Sequence, residues 1–217
     1  MWLGSYEFDM QRAIVASLRA GMVFYDLGAN VGFFSLLAAR YVGTAGHVYA
    51  FEPLARNLEY LNRHIELNGV SNITVVPKAV ADRAGTAGFA VRDHSTSHLC
   101  DAGEVKVEVT TLDSFCMQQG VRPPDIVKVD IEGAEIAMLR GGARCLAERT
   151  PVVFMSVHSE ALYAQLFDLI DPFYRAEALD GRAAGRDAFR SEVVLRRAAD
   201  PAARRGDAQL AERAGGE

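Results

Sequence analysis

The sequence predicts an α/β fold in which a mainly parallel sheet of seven strands carries helices on both faces and ends in an antiparallel hairpin. Three observations support this class. Short apolar runs alternate with longer segments of helical periodicity, which is typical of parallel strands joined by crossover helices. The first apolar run leads directly into a glycine turn and a helix. Two β-patterned runs flank the glycine-containing segment DGRAAGRD near the end of the chain.

The apolar runs place the strands, and the periodic segments place the helices. Apolar side chains at Ile14, Val15 and Leu18 indicate a helical lead-in within residues 1–21, before the first strand. Strands are predicted at residues 22–27, 47–51, 72–76, 125–130 and 151–157. Helices are predicted at residues 54–68, 133–146 and 161–170.

Three regions depart from this alternation. Residues 81–112 contain TAGFAV and KVEVTTL around a polar segment, which indicates a β-rich insertion. The runs FYRAEAL and FRSEVVLRR predict the terminal hairpin. Residues 198–217 contain few large apolar side chains, so we expect a disordered tail. Residues 1–197 are then expected to form one domain, because 217 residues with 50% apolar side chains suffice for one substantial core.

Composition favours small-molecule chemistry in the cytoplasm. The formal net charge is -5 at pH 7, whereas a nucleic-acid partner usually requires a basic surface. Cys100, Cys116 and Cys145 are widely spaced and form no CxxC pair, which indicates ordinary thiols. We find no signal peptide and no apolar run of about 18 residues. We therefore expect a soluble protein without nucleic-acid or membrane partners, and a homo-oligomer is an open alternative to a monomer.

The segment FYDLGANVGF carries the most specific local signal. Gly28 permits a tight turn and close approach of a ligand, and Gly32 allows close packing of the following helix. The segment lacks the GxGxxG pattern of dinucleotide sites, and the Asp26 carboxylate would repel a pyrophosphate. Such an acid suits the cationic aminoacyl end of S-adenosylmethionine, and Asn30 can hydrogen-bond locally or to the ligand.

A second acid, Glu52, follows the strand HVYAF, where doubly wound folds place a carboxylate that binds ribose hydroxyls. Asp26 and Glu52 would then mark the two ends of one nucleoside. Each acid has an alternative role as a helix cap or as a solvated strand end. The third strand leads into the loop where an adenine ring would lie, at Pro77, Lys78, Ala79 and Val80.

The chain contains, in order, the segments GSYE, DLGANVG, FEP, ELNGV, TTLDSF and KVDIEGAE. In these segments it resembles the FkbM-type methyltransferases over residues 1–160. The resemblance implies a class I Rossmann-like fold that uses S-adenosylmethionine and releases S-adenosylhomocysteine. It also implies O-methylation of a sugar, polyketide or related small hydroxylated metabolite.

The same resemblance implies roles for single residues. Matching motifs imply cofactor contacts from Asp26, Gly28, Asn30, Gly32 and Glu52, and from Glu7 near the amino acid end of the cofactor. Asp130 and Glu132 would face the reaction centre. One departure is Ser156, because many relatives have a glutamate at this position, and the role of that carboxylate cannot be transferred.

Methylation of a hydroxyl requires a group that accepts its proton, and Asp130, Glu132 and His158 are the candidates. Each has a structural alternative. Asp130 could be the N-cap of the helix that begins near Gly133, Glu132 could interact with that helix's dipole, and His158 could be an ordinary core histidine. Lys128 lies on a strand buried on both sides, so we expect its ammonium to pair with a carboxylate.

Other readings of the sequence concern metals and different activities. Residues 93–98 combine two histidines with three hydroxyls, and we interpret them as a solvated loop rather than a site for a substrate hydroxyl or a metal. No set of carboxylate and amide ligands is recognisable, so we predict no metal. The alternatives to a methyltransferase are a noncatalytic cofactor-binding or scaffold protein and another enzyme on the same fold, such as an aminopropyltransferase or an oxidoreductase. The absence of an Asn-Pro-Pro-aromatic segment argues against methylation of nucleic-acid amino groups.

Overall fold

The computed structural model of the chain describes residues 7–90, 98–99, 105–170 and 173–198. Eleven strands are found in this part of the chain. They are β1 (Val23–Leu27), β2 (His47–Phe51), β3 (Ile73–Val76), β4 (Ala79–Val80), β5 (Gly85–Ala90), β6 (His98–Leu99), β7 (Val105–Thr110), β8 (Ile126–Val129), β9 (Val152–Ser156), β10 (Tyr174–Glu177) and β11 (Glu192–Arg197).

Seven helices connect or flank these strands in the described residues. They are α1 (Phe8–Ser17), α2 (Phe33–Val42), α3 (Ala55–Asn68), α4 (Leu112–Cys116), α5 (Glu135–Gly141), α6 (Ala143–Arg149) and α7 (Glu160–Ile170). Among the described residues, no helix is long and apolar enough to span a membrane.

The main sheet has seven strands in the order β10-β11-β9-β8-β1-β2-β3. The five strands from β9 to β3 in this order are parallel, whereas β11 is antiparallel to both of its neighbours. The predicted fold class is therefore confirmed, including the C-terminal antiparallel hairpin. The order reverses direction beside β1, because β2 lies on one side of it and β8 on the other, and this reversal creates a crevice at the strands' carboxyl ends.

Both faces of β1 are buried, as expected of a central parallel strand. Phe24 packs in an apolar cluster with residues of α1 and α2, including Met10 and Phe34. Tyr25 points to the opposite face, where its ring lies 5.8 Å from that of Phe51 and 5.7 Å from that of Phe115. Successive side chains of one strand thus hold the two layers of helices on opposite sides of the sheet.

A second sheet, with the order β4-β7-β5-β6, follows β3. Its strands β5 and β7 are antiparallel and fall within residues 81–112, the segment predicted as a β-rich insertion. Strand β4 begins before that segment and pairs in parallel with β7. Most of residues 93–98 and the tail from 199 onward lie outside the described residues, so the expectations of a solvated loop and a disordered tail stay predictions.

The single helix predicted for residues 133–146 is wrong, because two short helices, α5 and α6, occupy this region and are separated at Gly142. A Cβ atom at Gly142 would lie 2.7 Å from Leu112 Cδ2, and one at Gly141 would lie 2.1 Å from the Ala81 carbonyl oxygen. The two glycines therefore allow close packing against α4 and the residue after β4. Glycine also has a low helix propensity, which favours an interruption of the helix at these two positions.

Cys116 and Cys145 lie together although 29 positions separate them in sequence. Their Sγ atoms are 3.0 Å apart, between α4 and α6, and both are free thiols. The sequence did not predict this contact, because the packing of two helices creates it and no local CxxC spacing marks it.

Gly28 begins the turn after β1 and has φ of 81°. A Cβ atom at this position would lie 1.9 Å from the carbonyl oxygen of Asp130, which follows β8. No side chain can occupy that space without moving backbone. The glycine therefore allows the carboxyl ends of β1 and β8 to approach each other.

We expect Gly28→Ala to lower the free energy of unfolding by at least about 3 kcal/mol, because backbone collision adds to the cost of a positive φ. Gly21→Ala is the matched control, since Gly21 has φ of 86° but no atom within 4 Å of the new Cβ. It should cost about 1–2 kcal/mol. Urea titration of both variants measures the difference, and equal losses would contradict the assigned collision.

Candidate active site

A cavity of about 530 Å³ lies at the carboxyl ends of β1, β2 and β8. This volume falls within the range of about 300–1,000 Å³ that is usual for small-molecule sites. The cavity is lined by the turn after β1, the residues after β2 and β8, part of the second sheet and the start of α3. Its residues include Gly28, Asn30, Phe34, Glu52, Asn57, Tyr60, Lys78, Ala79, Val80, Phe89, Lys128, Asp130, Ile131 and Glu132.

Glu52 is held in one orientation by three donors. Its Oε2 accepts a hydrogen bond from the backbone N–H of Asn30 at 3.0 Å, and its Oε1 accepts one from the backbone N–H of Leu54 at 2.9 Å. Oε1 also accepts a hydrogen bond from Asn57 Nδ2 at 3.2 Å. A carboxylate offers about four acceptor positions, so these bonds leave acceptor capacity on the cavity side. Burial raises the pKa of Glu52, and the hydrogen bonds oppose that shift.

Lys128 forms a buried ion-pair network beneath the cavity. Its Nζ lies 3.5 Å from Asp26 Oδ1 and 3.4 Å from Asp130 Oδ2, and its side chain is 4% exposed. Nζ also donates to the Gly28 carbonyl at 3.2 Å and lies 5.1 Å from the ring centre of Phe34. The expectation that Lys128 pairs with a carboxylate is confirmed, and two carboxylates share the ammonium.

Asp26 does not line the cavity. Its side chain is fully buried, and its Oδ2 accepts a hydrogen bond from Ser35 Oγ at 2.6 Å. The structure therefore places this carboxylate behind the glycine turn, where it is a counter-ion of Lys128. Contact of Asp26 with a cofactor stays a prediction.

Asp130, Glu132 and His158 form a cluster at the cavity wall. His158 Nε2 lies 3.4 Å from Asp130 Oδ1 and 3.3 Å from Glu132 Oε2. Glu132 has φ of 51°, a left-handed conformation that is uncommon for a residue with a side chain. The turn between β8 and α5 thus directs this carboxylate towards the histidine. Strands β8 and β9 are neighbours, which explains why residues 28 positions apart meet.

His158 is oriented by a buried glutamate. Glu135 is fully buried, and its Oε1 lies 2.6 Å from His158 Nδ1 and accepts a hydrogen bond from the Gly133 backbone N–H at 2.9 Å. Hydrogen bonds to Asp130 and Glu135 raise the pKa of His158 to about 10, against the effect of burial. Burial would raise the pKa of Asp130, but the charges of Lys128 and His158 lower it to about 2.

Most predicted site residues meet at this cavity. Those that line it are Gly28, Asn30, Glu52, Ala79, Asp130 and Glu132. His158 adjoins the cavity through its contacts with Asp130 and Glu132. Gly32 and Glu7 do not line it: Gly32 precedes α2 against Leu61, and Glu7 is the residue before α1. The negative charges of Glu7 and Asp9 contribute to the raised pKa of Glu192, after burial.

One structural alternative from the sequence is wrong. Helix α5 begins at Glu135 and its N-cap residue is Ala134, so Asp130 does not cap this helix. Sequence reasoning missed Asn57, Ser35 and the function of Glu135 as the partner of His158. The sequence gives only a weak signal for the function of Glu135, because the helix dipole favours an acid in the first turn of many helices.

A family model described as the methyltransferase FkbM domain matches residues 26–178, which include the end of β1 with its glycine turn and the cluster at Asp130. The chain belongs to the FkbM methyltransferase family. The matched range also covers the second sheet and β10.

Two relatives of this FkbM domain carry names that include an activity. The chain is 25% identical over 158 residues to "Hexuronic acid methyltransferase AglP" of Haloferax volcanii, with 70% of this chain and 63% of the relative covered. It is 27% identical over 163 residues to "Methyltransferase sdnD" of Sordaria araneosa, with 58% and 62% covered. The chain thus spans less than two thirds of the length of each of these relatives.

Solved structures show the same fold. An FkbM methyltransferase from Methylobacillus flagellatus KT superposes with a TM-score of 0.56 at 21% identity, covering 80% of this chain and 43% of the other. A Streptococcus mutans methyltransferase candidate, solved in complex with SAH, has a TM-score of 0.53 at 9% identity and covers 87% and 95%. At these identities the likeness concerns the fold, which is that of class I Rossmann-like methyltransferases.

We expect Lys128→Met to lower the free energy of unfolding by about 3–5 kcal/mol, because it leaves the fully buried Asp26 without its counter-ion and removes one of the two cationic partners of Asp130. Arg63→Met is the control, since it removes the exposed Arg63–Glu66 pair on α3 and should leave stability unchanged. Adding Asp26→Asn to Lys128→Met should restore part of the loss. A Lys128→Met protein as stable as the wild type in urea titration would refute the network.

Proposed function

We propose that this FkbM domain binds S-adenosylmethionine in the cavity and methylates a hydroxyl oxygen of a sugar, polyketide or related small metabolite. One observation carries the proposal: Glu52 lines one side of a single cavity, and Asp130 and Glu132, with His158 adjoining them, line the other. Strands β2 and β8 lie on either side of β1, so the two acidic sites follow strands separated by about 10 Å. This separation suits a nucleoside at one site and its reactive substituent at the other.

The residues around Glu52 fit the nucleoside part of the cofactor. Glu52 is 4% exposed and its orientation is held by three donors, and its remaining acceptor position suits a ribose hydroxyl. Ala79, Val80 and Phe89 line the neighbouring part of the cavity with apolar surface. We assign this surface to the adenine ring. Gly28 and Asn30 supply the backbone between the two sites, and Gly32 allows α2 to pack closely behind it.

The residues beyond the glycine turn fit the positively charged part of S-adenosylmethionine. S-adenosylmethionine supplies its methyl group from a sulfonium, which carries a positive charge. Asp130 and Glu132 line this part of the cavity with negative charge. We assign Asp26 an indirect function, since Ser35 and Lys128 hold it behind the turn. Glu7 precedes α1, and its contact with the amino acid end stays a proposal that rests on the family resemblance.

The acceptor hydroxyl is placed against the cluster. A hydroxyl is a weak nucleophile until its proton leaves, and a positioned proton acceptor contributes on the order of 10²- to 10⁴-fold. Asp130, Glu132 and His158 together present carboxylate oxygens and an imidazole nitrogen at one point of the cavity wall. A carboxylate of the cluster accepts the hydroxyl proton, because the raised pKa of His158 keeps its ring protonated near neutral pH. As the oxygen forms its bond to the methyl carbon, the methyl–sulfur bond breaks and S-adenosylhomocysteine leaves. Glu135 keeps the imidazole in position.

The acceptor class follows from the relatives and from charge. One relative is named for a hexuronic acid, which is a small hydroxylated sugar. The net charge of -5 does not favour a nucleic-acid acceptor. We therefore propose a small hydroxylated acceptor and a cytoplasmic enzyme.

Incubation with methyl-labelled S-adenosylmethionine and a panel of uronic acids, neutral sugars and polyketide alcohols tests the activity. We expect labelled methyl ether on a member of the panel, detected by mass spectrometry. Asp130→Asn should lower the rate by at least about 100-fold. Glu66→Gln, on the exposed face of α3, should not change it. Cofactor binding without transfer to any acceptor would favour a noncatalytic protein, and absence of binding by folded protein would refute the proposal.

Glu52 generates a pH prediction. Its pKa is raised above 4.5 by burial, so it becomes protonated at a higher pH than an ordinary glutamate. We expect affinity for S-adenosylmethionine to fall as the pH drops through this raised pKa, because the protonated group is a weaker acceptor. Glu52→Gln should bind about 1.5–3 kcal/mol more weakly near neutral pH and should lack this fall. Calorimetric titration measures both, with Glu66→Gln as control, and identical pH profiles for wild type and Glu52→Gln would contradict the assignment.

A further inference from the structure

The cluster at the cavity wall has the composition of a metal-ligand set. Asp130 and Glu132 each offer a carboxylate oxygen and His158 offers a ring nitrogen, and these atoms all lie within 4.8 Å of one another. They come from different elements: the end of β8, the turn before α5 and the segment after β9. Two carboxylates and one imidazole are ligands that divalent ions such as Mn²⁺ and Zn²⁺ accept.

The two distances from His158 Nε2 also suit ligand atoms that surround one ion. Charge-assisted hydrogen bonds measure about 2.7–2.9 Å. The bond between His158 Nδ1 and Glu135 is of that kind, at 2.6 Å. In contrast, His158 Nε2 lies 3.4 Å from Asp130 and 3.3 Å from Glu132. Ligand atoms that surround one ion with bonds of about 2.1 Å lie about 3.0–3.4 Å apart.

Glu135 supplies the supporting interaction that metal-binding histidines usually have. A carboxylate can only accept, so His158 Nδ1 donates to Glu135 Oε1 and Nε2 faces Asp130 and Glu132. Glu135 is fully buried, and its Oε2 has no hydrogen-bond partner among the described residues. Burying a carboxylate in this way is costly, and orienting the imidazole is a function that explains why this position carries an acid.

The local charge is negative enough for a cation. Four carboxylates, those of Asp26, Asp130, Glu132 and Glu135, lie around the Lys128 ammonium and the His158 ring. A metal ion at His158 Nε2 takes the place of the proton that this ring otherwise carries, and the group with a neutral imidazole has three net negative charges. A sulfonium in the cavity offsets one of them, and a divalent cation offsets the remaining two.

We propose that Asp130, Glu132 and His158 bind a divalent cation, with Mn²⁺ or Zn²⁺ as the best match to their donor atoms, and that the cation takes an acceptor oxygen as a further ligand. The second part rests on the proposed methyl transfer, whereas the first does not. A bound divalent ion orients the acceptor oxygen and makes its proton more acidic. As in the proposed methyl transfer, a carboxylate of the cluster accepts that proton. This proposal replaces the expectation from the sequence that no metal is bound.

The test is Mn²⁺ binding by the full chain, measured without cofactor or acceptor. After treatment with EDTA and removal of the chelator, electron paramagnetic resonance follows the loss of the free Mn²⁺ signal during titration. We expect one ion per chain. Glu132→Gln should weaken binding at least about tenfold, and Glu135→Gln should weaken it by about 10- to 100-fold through the misoriented imidazole. Glu66→Gln, which removes an exposed carboxylate of α3, should bind as the wild type does.

Circular dichroism confirms that each variant is folded. His158→Gln removes a second proposed ligand and leaves the Lys128 network intact. Equal Mn²⁺ affinity in the wild type, Glu132→Gln and His158→Gln would overturn the site.

The metal-site proposal and the methyltransferase proposal fail in different ways. Methyl transfer that is unchanged after EDTA, with no Mn²⁺ bound, would overturn the metal site and leave the methyltransferase. Site-specific Mn²⁺ binding without transfer to any acceptor would support the metal site and count against the activity.

Discussion

The Lys128 ammonium is nearly excluded from water, and the ends of the two central strands are arranged around it. Asp26 and Lys128 are register partners on β1 and β8, so the ion pair crosses between neighbouring strands at the level of the crevice. Burying an ammonium and a carboxylate costs several kcal/mol per ion, and good geometry with additional hydrogen bonds offsets it. Here the additional contacts are Asp130, the Gly28 carbonyl and the Phe34 ring. The network therefore couples the strand ends to the residue at the centre of the site.

The glycine turn and the ion-pair network depend on each other. Gly28 lets its backbone approach that of Asp130, and the resulting position of its carbonyl allows the bond from Lys128. Beyond the turn, the Asn30 backbone N–H reaches Glu52 on the opposite side. The two acidic sites of the cavity are thus connected through a short piece of backbone rather than through flexible side chains. Such pre-organisation suits a reaction in which positioning supplies much of the rate.

Much of this arrangement could be predicted from the sequence, because strand alternation, the glycine turn and the acids after strands are local patterns. The positions of β1, β2 and β8 and the assignment of Glu52 and Asp130 to the cavity follow from them, whereas Glu132 is implied by the family resemblance. What could not be predicted depends on contacts between distant segments. The division into α5 and α6 depends on packing of Gly141 and Gly142 against other elements. The burial of Asp26 away from the cavity and the partnership of Glu135 with His158 depend on side-chain directions that spacing does not encode.

The backbone conformation of Glu132 affects how the thermal stability of this protein can be engineered. Glycine or asparagine would adopt the left-handed backbone of Glu132 at a lower cost in free energy. The next residue, Gly133, also has a positive φ, of 99°. Selection for thermal stability alone would therefore favour loss of the carboxylate at this position. Backbone strain of this kind is common at functional sites, and here it falls on a residue that lines the cavity. Engineering of more robust members of this family should leave this turn unchanged and seek stabilisation elsewhere in the fold.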